Sequence, residues 1–314
     1  AQNELKKNFG YADGITGWYS RDQFGLYQTL GDLTIQFNGS TQDISSSSGQ
    51  ATNDEIKTKI HYSDYRRDLN LMEGVAHTEY QWKGVSFTRD LVVSKPDEAI
   101  ALHLTAGNPG AISFTAALTR QHDAATRAEG SVYVLEGQLR FNRPGGGGQG
   151  MRYTALLGAS AMGGKVSVTQ QGLVVAGADQ VTLIVSAGTD WKDKEFAALA
   201  RRRLDAALAK PFDALRTRAI ADHRSFMDRC QLTLPAGPNA KLPTPARVKA
   251  QEITPDPALA ALYYQFGRHL VVSGSRPDSQ LPTNLQGIWA EEYDTPWRGD
   301  FHSNINLQMN YWPA

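Results

Sequence analysis

The sequence predicts a multidomain protein of mixed β and α structure, with a large antiparallel β-sandwich followed by amphipathic helices. Three observations support this fold class. Apolar residues alternate with a period of two from about residue 27 to residue 186, which is the pattern of strands. After Trp191 the period becomes helical. The length of 314 residues also exceeds the roughly 250 to 300 residues at which one hydrophobic core stops growing, so we expect more than one domain.

About ten strands are predicted, each from alternation or from a concentration of β-branched residues. Glycine-containing turns separate them, for example at Lys83-Gly84, Glu136-Gly137 and Gly163-Gly164. Strands of this number and spacing are typical of an antiparallel sandwich. The predicted strands are residues 33–37, 85–93, 99–105, 112–118, 131–135, 138–141, 153–157, 165–168, 172–176 and 180–186.

Two stretches interrupt the predicted strands. Residues 39–53 are rich in Ser, Gly, Thr and Gln, which predicts a mobile surface loop. Residues 144–150 contain four consecutive glycines and predict an unconstrained connection. This glycine run lacks both the Gly-Lys-Ser/Thr ending and the following helix of a phosphate-binding loop, so we do not expect phosphate to bind there.

Three helices are predicted after residue 190. The first covers residues 196–208, and the second runs from about residue 211 to residue 230. His223 and Asp222 are neighbours on the second helix, so their side chains point in different directions and packing is the favoured role. An extended connector is predicted over residues 235–245.

The third helix begins at a clear start signal. Asp256 is the predicted N-cap and Pro257 the first helical residue. The spacing of apolar residues predicts that the helix buries one wide face. The residues predicted on that face are Leu259, Leu262, Tyr263, Phe266, Leu270 and Val271.

The composition excludes several classes of function. The formal net charge is zero, so there is no electrostatic surface typical of nucleic-acid or anionic-membrane binding. No apolar run approaches the roughly 18 residues of a membrane span. Cys230 is the single cysteine, which excludes an internal disulfide and any cysteine-cluster metal site. We therefore expect neither nucleic-acid nor membrane partners, and no metal.

The C-terminal stretch has the composition of a sugar-binding site. Aromatic rings alternate there with neutral amides, and few charged side chains lie between them. Rings stack on the apolar faces of sugars, and amides both donate to and accept from hydroxyl groups. The rings are Trp289, Tyr293, Trp297, Phe301, Tyr311 and Trp312, and the amides are Asn284, Gln286, Asn304, Asn306, Gln308 and Asn310.

Several motifs resemble the bacterial and plant α-L-fucosidases of glycoside hydrolase family 95. The specific ones are Tyr264-Gln-Phe-Gly-Arg-His-Leu270, Ser273-Gly-Ser-Arg-Pro277, Leu281-Pro-Thr-Asn-Leu-Gln-Gly-Ile-Trp289 and Asn304-Ile-Asn-Leu-Gln-Met-Asn-Tyr-Trp-Pro313. Earlier similarities are Tyr27-Gln-Thr-Leu-Gly-Asp-Leu33, Asp64-Tyr-Arg-Arg-Asp-Leu69 and Phe87-Thr-Arg89. The resemblance therefore spans most of the chain, although Thr29 stands where the family commonly has proline.

The resemblance implies an N-terminal β-sandwich, a helical linker, an (α/α)6 catalytic barrel and a C-terminal β domain. We accordingly expect residues 1–190 to form the sandwich, incomplete at its start. Residues 191–250 are expected to form the helical linker and extended connector, and residues 251–314 the beginning of the barrel. Because the apolar faces after residue 256 have too few partners within this sequence, we expect a fragment whose missing partner is the remainder of the same polypeptide.

The resemblance also implies an inverting exo-α-L-fucosidase that releases terminal α-1,2-linked L-fucose from oligosaccharides or xyloglucan, without a cofactor. In the family, two asparagines hold the attacking water, and they match Asn304 and Asn306. His302 matches a position that hydrogen-bonds fucose, and Trp289 and Trp297 are expected to contact the substrate. An extended segment would place both amides on one side. Since an amide is a poor base, a carboxylate must activate the water.

The general acid Glu and the water-activating Asp are expected beyond residue 314, so the chain alone is expected to be inactive. Within the chain, Glu291, Glu292, Asp294 and Asp300 lie close to the aromatic and amide residues. Asp294 and Asp300 are an alternative acid and base pair. This pair is disfavoured because loop carboxylates are usually solvated.

Three alternatives to a fucosidase remain. An α-L-galactosidase on the same scaffold would differ in one substrate hydroxyl at C6. A glycoside phosphorylase would need a phosphate site, which the sequence does not indicate. A non-catalytic carbohydrate-binding fragment is the third. Because family members that degrade external glycans are usually exported, we expect a periplasmic or secreted location.

Overall fold

The computed structural model describes residues 27–37, 62–141, 148–293 and 295–314. This part of the chain contains twelve strands. The strands are β1 (Asp32–Phe37), β2 (Tyr62–Asn70), β3 (Val75–Trp82), β4 (Val85–Ser94), β5 (Ala99–Ala106), β6 (Ile112–Thr119), β7 (Ala124–Glu129), β8 (Val132–Phe141), β9 (Gly148–Met162), β10 (Lys165–Thr169), β11 (Gly172–Ala178) and β12 (Gln180–Thr189).

The strands form two antiparallel sheets that pack face to face. The small sheet has the order β1-β6-β11-β10, and the large sheet has the order β2-β3-β4-β5-β12-β9-β8-β7. Phe114 and Leu173 of the small sheet share one core with Leu135, Leu157 and Leu183 of the large sheet. The predicted mixed fold, with its antiparallel sheets followed by helices, is confirmed.

Two helices form a third layer on the outer face of the large sheet. The helices of the described residues are α1 (Phe196–Leu208), α2 (Phe212–Met227), α3 (Thr244–Ala250), α4 (Pro257–Gly274) and α5 (Asn306–Asn310). Leu204 of α1 and Leu215 of α2 are fully buried in a second core with Val92, Leu156 and Ile184 of the sheet. Helices α1 and α2 are therefore packed onto the large sheet.

Strand β8 is continuous where the sequence predicts two strands and a turn at Glu136-Gly137. Gly137 allows close packing here, because a Cβ atom would clash with the carbonyl oxygen of Asp123 and the hydroxyl of Tyr153. That hydroxyl donates a hydrogen bond to the same carbonyl. The predicted turn is wrong because the glycine is required for contact with neighbouring groups.

Three strands were not predicted: β2, β3 and β7. β2 and β7 are the two edges of the large sheet, and every residue of β2 is exposed. β3 lies between β2 and β4, and Val75 is its one buried residue. A strand without a buried face carries no apolar alternation, so the period-two pattern does not detect it.

The start of α4 agrees with its prediction. The Asp256 side chain accepts a hydrogen bond from the Leu259 backbone N–H at 3.1 Å, and Pro257 is the first helical residue. Asp256 also forms a bidentate ion pair with Arg247 of α3, at 2.9 and 3.0 Å. These hydrogen bonds lower the pKa of Asp256. Helix α3 lies at the end of the predicted extended connector and fixes the start of α4.

The buried face of α4 differs from its prediction. Leu259 is buried as predicted, but Tyr263 is 78% exposed and Phe266 is 39% exposed. The buried face instead contains Gln265, Arg268 and His269. The prediction is wrong because these polar side chains dock α4 onto α2, as described below.

The exposed apolar face of α4 lines a groove of about 1410 Å³. Strands β2 and β3 and helix α3 supply the other walls, and Tyr65, Leu69 and Val248 are among the residues that line it. Apolar surface of this kind is typical of contact regions.

Some predictions lie outside the described residues. These concern residues 1–9, the loop 39–53 and most of the glycine-rich stretch; Gly148 already begins β9. Asp294 also lies outside them. Among the helices that the structure does describe, none is long and apolar enough to cross a membrane.

Candidate functional site

The aromatic and amide residues of the C-terminal stretch form a loop followed by α5. A short 3-10 turn, Pro296–Gly299, lies within the loop. The rings of Trp297 and His302 meet edge to face, with centroids 6.0 Å apart and an angle of 85°. Trp297 is 64% exposed and Trp289 is 49% exposed, whereas His302 is half-buried. Both tryptophans thus present ring surface to solvent, and one of them lies against His302.

Asn304 and Asn306 flank a tight turn, so the extended segment that would place both amides on one side is not present. Ile305 between them has φ 56° and ψ −44°. The Asn306 N–H donates to the Asn304 carbonyl at 2.8 Å, which closes a three-residue turn. A positive φ is strained for a β-branched residue, and such strain is often found at functional sites. Asn304 is exposed, and Asn306 begins α5.

Other amides of the stretch hold the loop together. Asn310 Nδ2 donates to the Asn284 carbonyl at 2.9 Å, and Gln286 Nε2 donates to the Pro296 carbonyl at 2.7 Å. The Tyr311 hydroxyl accepts from the Thr283 N–H at 3.1 Å and lies 2.7 Å from the Ser275 hydroxyl. Burial raises the pKa of Tyr311, but these hydrogen bonds outweigh it and the pKa is lowered. These side chains support the loop, in contrast to the exposed Asn304.

Asn284 is the most buried amide of the stretch, at 4% exposure. Among the described residues, neither its Oδ1 nor its Nδ2 atom has a hydrogen-bond partner. Gly299, with φ 61°, allows the loop to approach this amide, because a Cβ there would lie 3.2 Å from Asn284 Nδ2 and 2.9 Å from Tyr27 Cβ. Residues far apart in sequence therefore converge behind the exposed surface of the loop.

The carboxylates of the loop occupy different environments. Glu291 and Glu292 are exposed, and Asp300 is half-buried. The Asp300 carbonyl accepts a hydrogen bond from the Leu285 N–H at 3.0 Å. Because Asp294 lies outside the described residues, the Asp294 and Asp300 pair stays a prediction. The described residues contain no group of three or more His, Cys, Asp or Glu side chains that could hold a metal ion.

Arg268 and Arg276 attach α4 to the third layer of the sandwich. The Arg268 guanidinium donates to the carbonyls of Phe226, Met227 and Cys230, at 3.0, 2.9 and 2.6 Å. Arg276 pairs with Asp222 of α2 at 2.8 Å. The last carbonyls of a helix have no intrahelical donors, and Arg268 donates to the last two carbonyls of α2. These arginines therefore have a structural role that the sequence analysis did not assign.

His223 of α2 and His269 of α4 form a buried pair beside these arginines. His223 Nε2 lies 2.9 Å from the Leu71 carbonyl and 3.3 Å from His269 Nδ1. Since a carbonyl only accepts, we assign the proton to His223 Nε2, which leaves His269 Nδ1 as the unprotonated nitrogen. Burial lowers the pKa of both residues, and that of His269 falls to about 4 because the charge of His223 adds to the effect of burial. Both rings are therefore neutral at pH 7.

Acid should weaken the contact between α2 and α4. The unfolded chain takes up a proton on each histidine near the usual pKa of 6.5, whereas folded His269 takes one up only near pH 4. Stability from this pair is therefore complete above about pH 6.5 and is lost as the pH falls, by about 1 to 2 kcal/mol between about pH 7 and pH 5. Thermal unfolding of the full-length protein across this range measures the slope.

Two variants isolate the effect of the pair. His269→Gln should flatten the dependence of the unfolding free energy on pH between about pH 7 and pH 5. His77→Gln is the matched control, because the hydrogen bond to Asp90 raises the pKa of His77 and its loss should steepen the same curve. A slope that His269→Gln leaves unchanged would contradict the assignment.

Comparison with known proteins gives consistent matches along the chain. Residues 1–194 match the glycosyl hydrolase family 65, N-terminal domain, and residues 211–314 match the glycosyl hydrolase family 95 catalytic domain. The chain is 28% identical to "Alpha-L-fucosidase 2" of Arabidopsis thaliana over 98% of this chain and 38% of that protein. It is 29% identical to "Probable alpha-fucosidase A" of Aspergillus oryzae over 98% of this chain and 42% of that protein. The chain thus spans about two fifths of the length of these curated relatives.

A solved structure shares the fold. A putative kojibiose phosphorylase from human microbiome superposes with a TM-score of 0.52 at 9% identity, over 84% of this chain and 34% of that chain. At this identity the match concerns the fold alone. The family matches and the fucosidase relatives cover nearly the whole sequence. The chain therefore has an N-terminal domain of the glycosyl hydrolase family 65 type, and its residues 211–314 match the glycosyl hydrolase family 95 catalytic domain.

Proposed function

We propose that the full-length protein is an inverting exo-α-L-fucosidase that releases terminal α-1,2-linked L-fucose from oligosaccharides or xyloglucan side chains. The observation that carries this proposal is the similarity to named fucosidases over 98% of the chain. The exposed tryptophans and the amide turn at the C-terminal stretch agree with a sugar substrate.

The residues of the loop have separate roles in this proposal. Trp289 and Trp297 present rings to the apolar faces of the sugar. His302, whose ring is oriented by Trp297, hydrogen-bonds the fucose hydroxyls. Asn304 and Asn306 hold the attacking water from the two ends of the turn at Ile305.

Inversion requires a water molecule on the face of the sugar opposite the leaving oxygen. The two amides orient this water and accept its hydrogen bonds, but they are too weakly basic to activate it. In the proposed reaction an Asp carboxylate polarises the amides, and a Glu protonates the leaving oxygen. Both carboxylates belong to a later part of the polypeptide. No metal or organic cofactor takes part.

The domain arrangement and location belong to the same proposal. Residues 1–190 form the sandwich, residues 191–250 the helical linker and connector, and residues 251–314 the opening of an (α/α)6 barrel. The remaining helices of that barrel are supplied by the same polypeptide. A protein that acts on external glycans is exported, so we propose a periplasmic or secreted location.

The test uses the full-length protein and 2'-fucosyllactose. We expect fucose release, with β-L-fucose as the first anomer in proton NMR, because inversion converts an α-linkage into a β-product. Activity should survive chelation of metals. An α-L-galactoside is the matched substrate and should react more slowly. Release of α-L-fucose first, or preference for the galactoside, would contradict the proposal.

A further inference from the structure

Arg120 connects the β-sandwich to the loop that carries the proposed sugar-binding residues. It follows β6, and its guanidinium lies between two rings, 5.0 Å from the centroid of Tyr153 and 4.8 Å from that of Tyr293. Tyr153 belongs to the sandwich core, whereas Tyr293 belongs to the loop. One side chain therefore contacts both domains.

The guanidinium is also fixed by hydrogen bonds within the sandwich. Its Nη2 donates to Gln28 Oε1 at 2.7 Å, its Nε donates to the His122 carbonyl at 3.0 Å, and its Nη1 donates to the Thr29 carbonyl. A planar fork that stacks on rings and donates in several directions is particular to arginine. Arg120 is thus held rigidly before it meets Tyr293.

Backbone and ring contacts beside Arg120 attach the loop at the same place. The Gln121 N–H donates to the Tyr293 hydroxyl at 2.8 Å. The His122 ring meets the Tyr293 ring edge to face at 5.3 Å. Tyr293 is therefore held by three consecutive residues of the sandwich.

A second attachment follows a few residues later in the loop. The buried Thr295 hydroxyl donates to the Tyr27 carbonyl at 3.2 Å. The Tyr27 ring meets the Phe301 ring edge to face at 5.6 Å. The loop is thus attached to the sandwich at Tyr293, Thr295 and Phe301. Trp297 lies between these points, and His302 follows the last of them directly.

We propose that the β-sandwich is a working part of the sugar site and that Arg120 is a positioning residue for it. Arg120 fixes the position of Tyr293. This contact and the contacts of Tyr27 with Thr295 and Phe301 determine the positions of Trp297 and His302. The identity of the sugar rests on the proposed function, but the attachment of the loop does not. Misplacing a binding group by about 1 Å can lower a rate by about 10²-fold, so a residue outside the site can control its activity.

The experiment compares Arg120→Lys with wild type in the full-length protein. Lysine keeps the charge but loses the fork and the stacking plane. We expect kcat/KM for 2'-fucosyllactose to fall about 10- to 100-fold, mainly through a higher KM, because the residues displaced are the ones that bind the sugar. Hydrogen exchange of the backbone amides of residues 293–307 should become faster.

Arg152→Lys is the matched control. Arg152 also lies on the sandwich, stacks on a ring (Phe196, 5.5 Å) and pairs with Asp190 at 2.8 Å, but it contacts helix α1 and not the loop. Its replacement should leave both KM and exchange in residues 293–307 unchanged. Equal effects of the two substitutions on KM or on exchange would overturn the proposal.

Tyr293→Leu removes the loop side of the same contact. It replaces Arg120→Lys as the test if that variant does not fold. It should raise KM and speed exchange to a similar extent, and combining it with Arg120→Lys should add little. Normal KM and normal exchange in Tyr293→Leu would overturn the proposal. If wild type releases no fucose, the proposed function fails, while the exchange comparison still decides whether Arg120 holds the loop.

Discussion

Asn304→Ala in the full-length protein should lower kcat for 2'-fucosyllactose by about 10²- to 10³-fold, the effect of removing one preorganised polar group from a reacting centre. Its side chain is exposed at the turn around Ile305, so the substitution should change the free energy of unfolding by no more than about 0.5 kcal/mol. KM should change little, because the amide is proposed to hold the water and not the sugar. Steady-state kinetics measure kcat and KM, and thermal unfolding measures the change in stability.

Gln308→Ala is the control for Asn304→Ala. Gln308 is an exposed amide of α5, four residues from Asn304, and no catalytic role is proposed for it. Its replacement should leave kcat unchanged. A kcat that survives Asn304→Ala, or one that falls equally in Gln308→Ala, would contradict the proposed role of Asn304 in holding the water.

Arg268→Met should destabilise the protein by about 3 kcal/mol, because it leaves the buried Met227 carbonyl without its donor and removes the charged donor of the Phe226 and Cys230 carbonyls. Arg268 is buried, and its guanidinium satisfies the carbonyls of Phe226, Met227 and Cys230 at the end of α2. Methionine fills a similar volume but donates no hydrogen bond. Calorimetry of the full-length protein should show a melting temperature lower by about 5 °C or more.

Arg224→Met provides the comparison for Arg268→Met. Arg224 is on α2, half of its side chain is exposed, and it lies 3.8 Å from Glu73. An exposed pair of this kind contributes less than about 1 kcal/mol, so we expect a small change in melting temperature. Similar decreases in melting temperature in the two variants would show that the carbonyl contacts of Arg268 stabilise the protein no more than an exposed ion pair does.

The sequence predicted the elements whose burial alternates or repeats regularly. Strand β6 has a burial pattern that changes at every residue, and Asp256 and Pro257 correctly marked the start of α4. The fully exposed β2 has no such pattern and was missed. The prediction of the buried face of α4 was wrong for a different reason. Arg268 and His269 find buried partners on α2, and apolar spacing cannot reveal partners on another helix.

For the candidate site, the sequence supplied a prediction of the residue types but not of their geometry. Alternating rings and amides indicated a sugar site, and the structure brings Trp297 and His302 together. The turn at Ile305 was not foreseen, because positive φ is unusual for isoleucine. The contact between Gln121 and Tyr293 joins residues 172 positions apart. No local sequence pattern reports contacts over such a distance.

The packing of α1 and α2 on the large sheet determines how the protein can be divided into pieces. A recombinant piece that ended at residue 190 would keep both sheets but uncover Val92, Leu156 and Ile184, which these helices bury. Uncovered apolar sheet surface promotes association between molecules. A recombinant N-terminal piece should therefore extend to Met227, where α2 ends, so that both helices still cover the sheet. Even that piece would lack Arg268, which donates to the Phe226 and Met227 carbonyls at the end of α2.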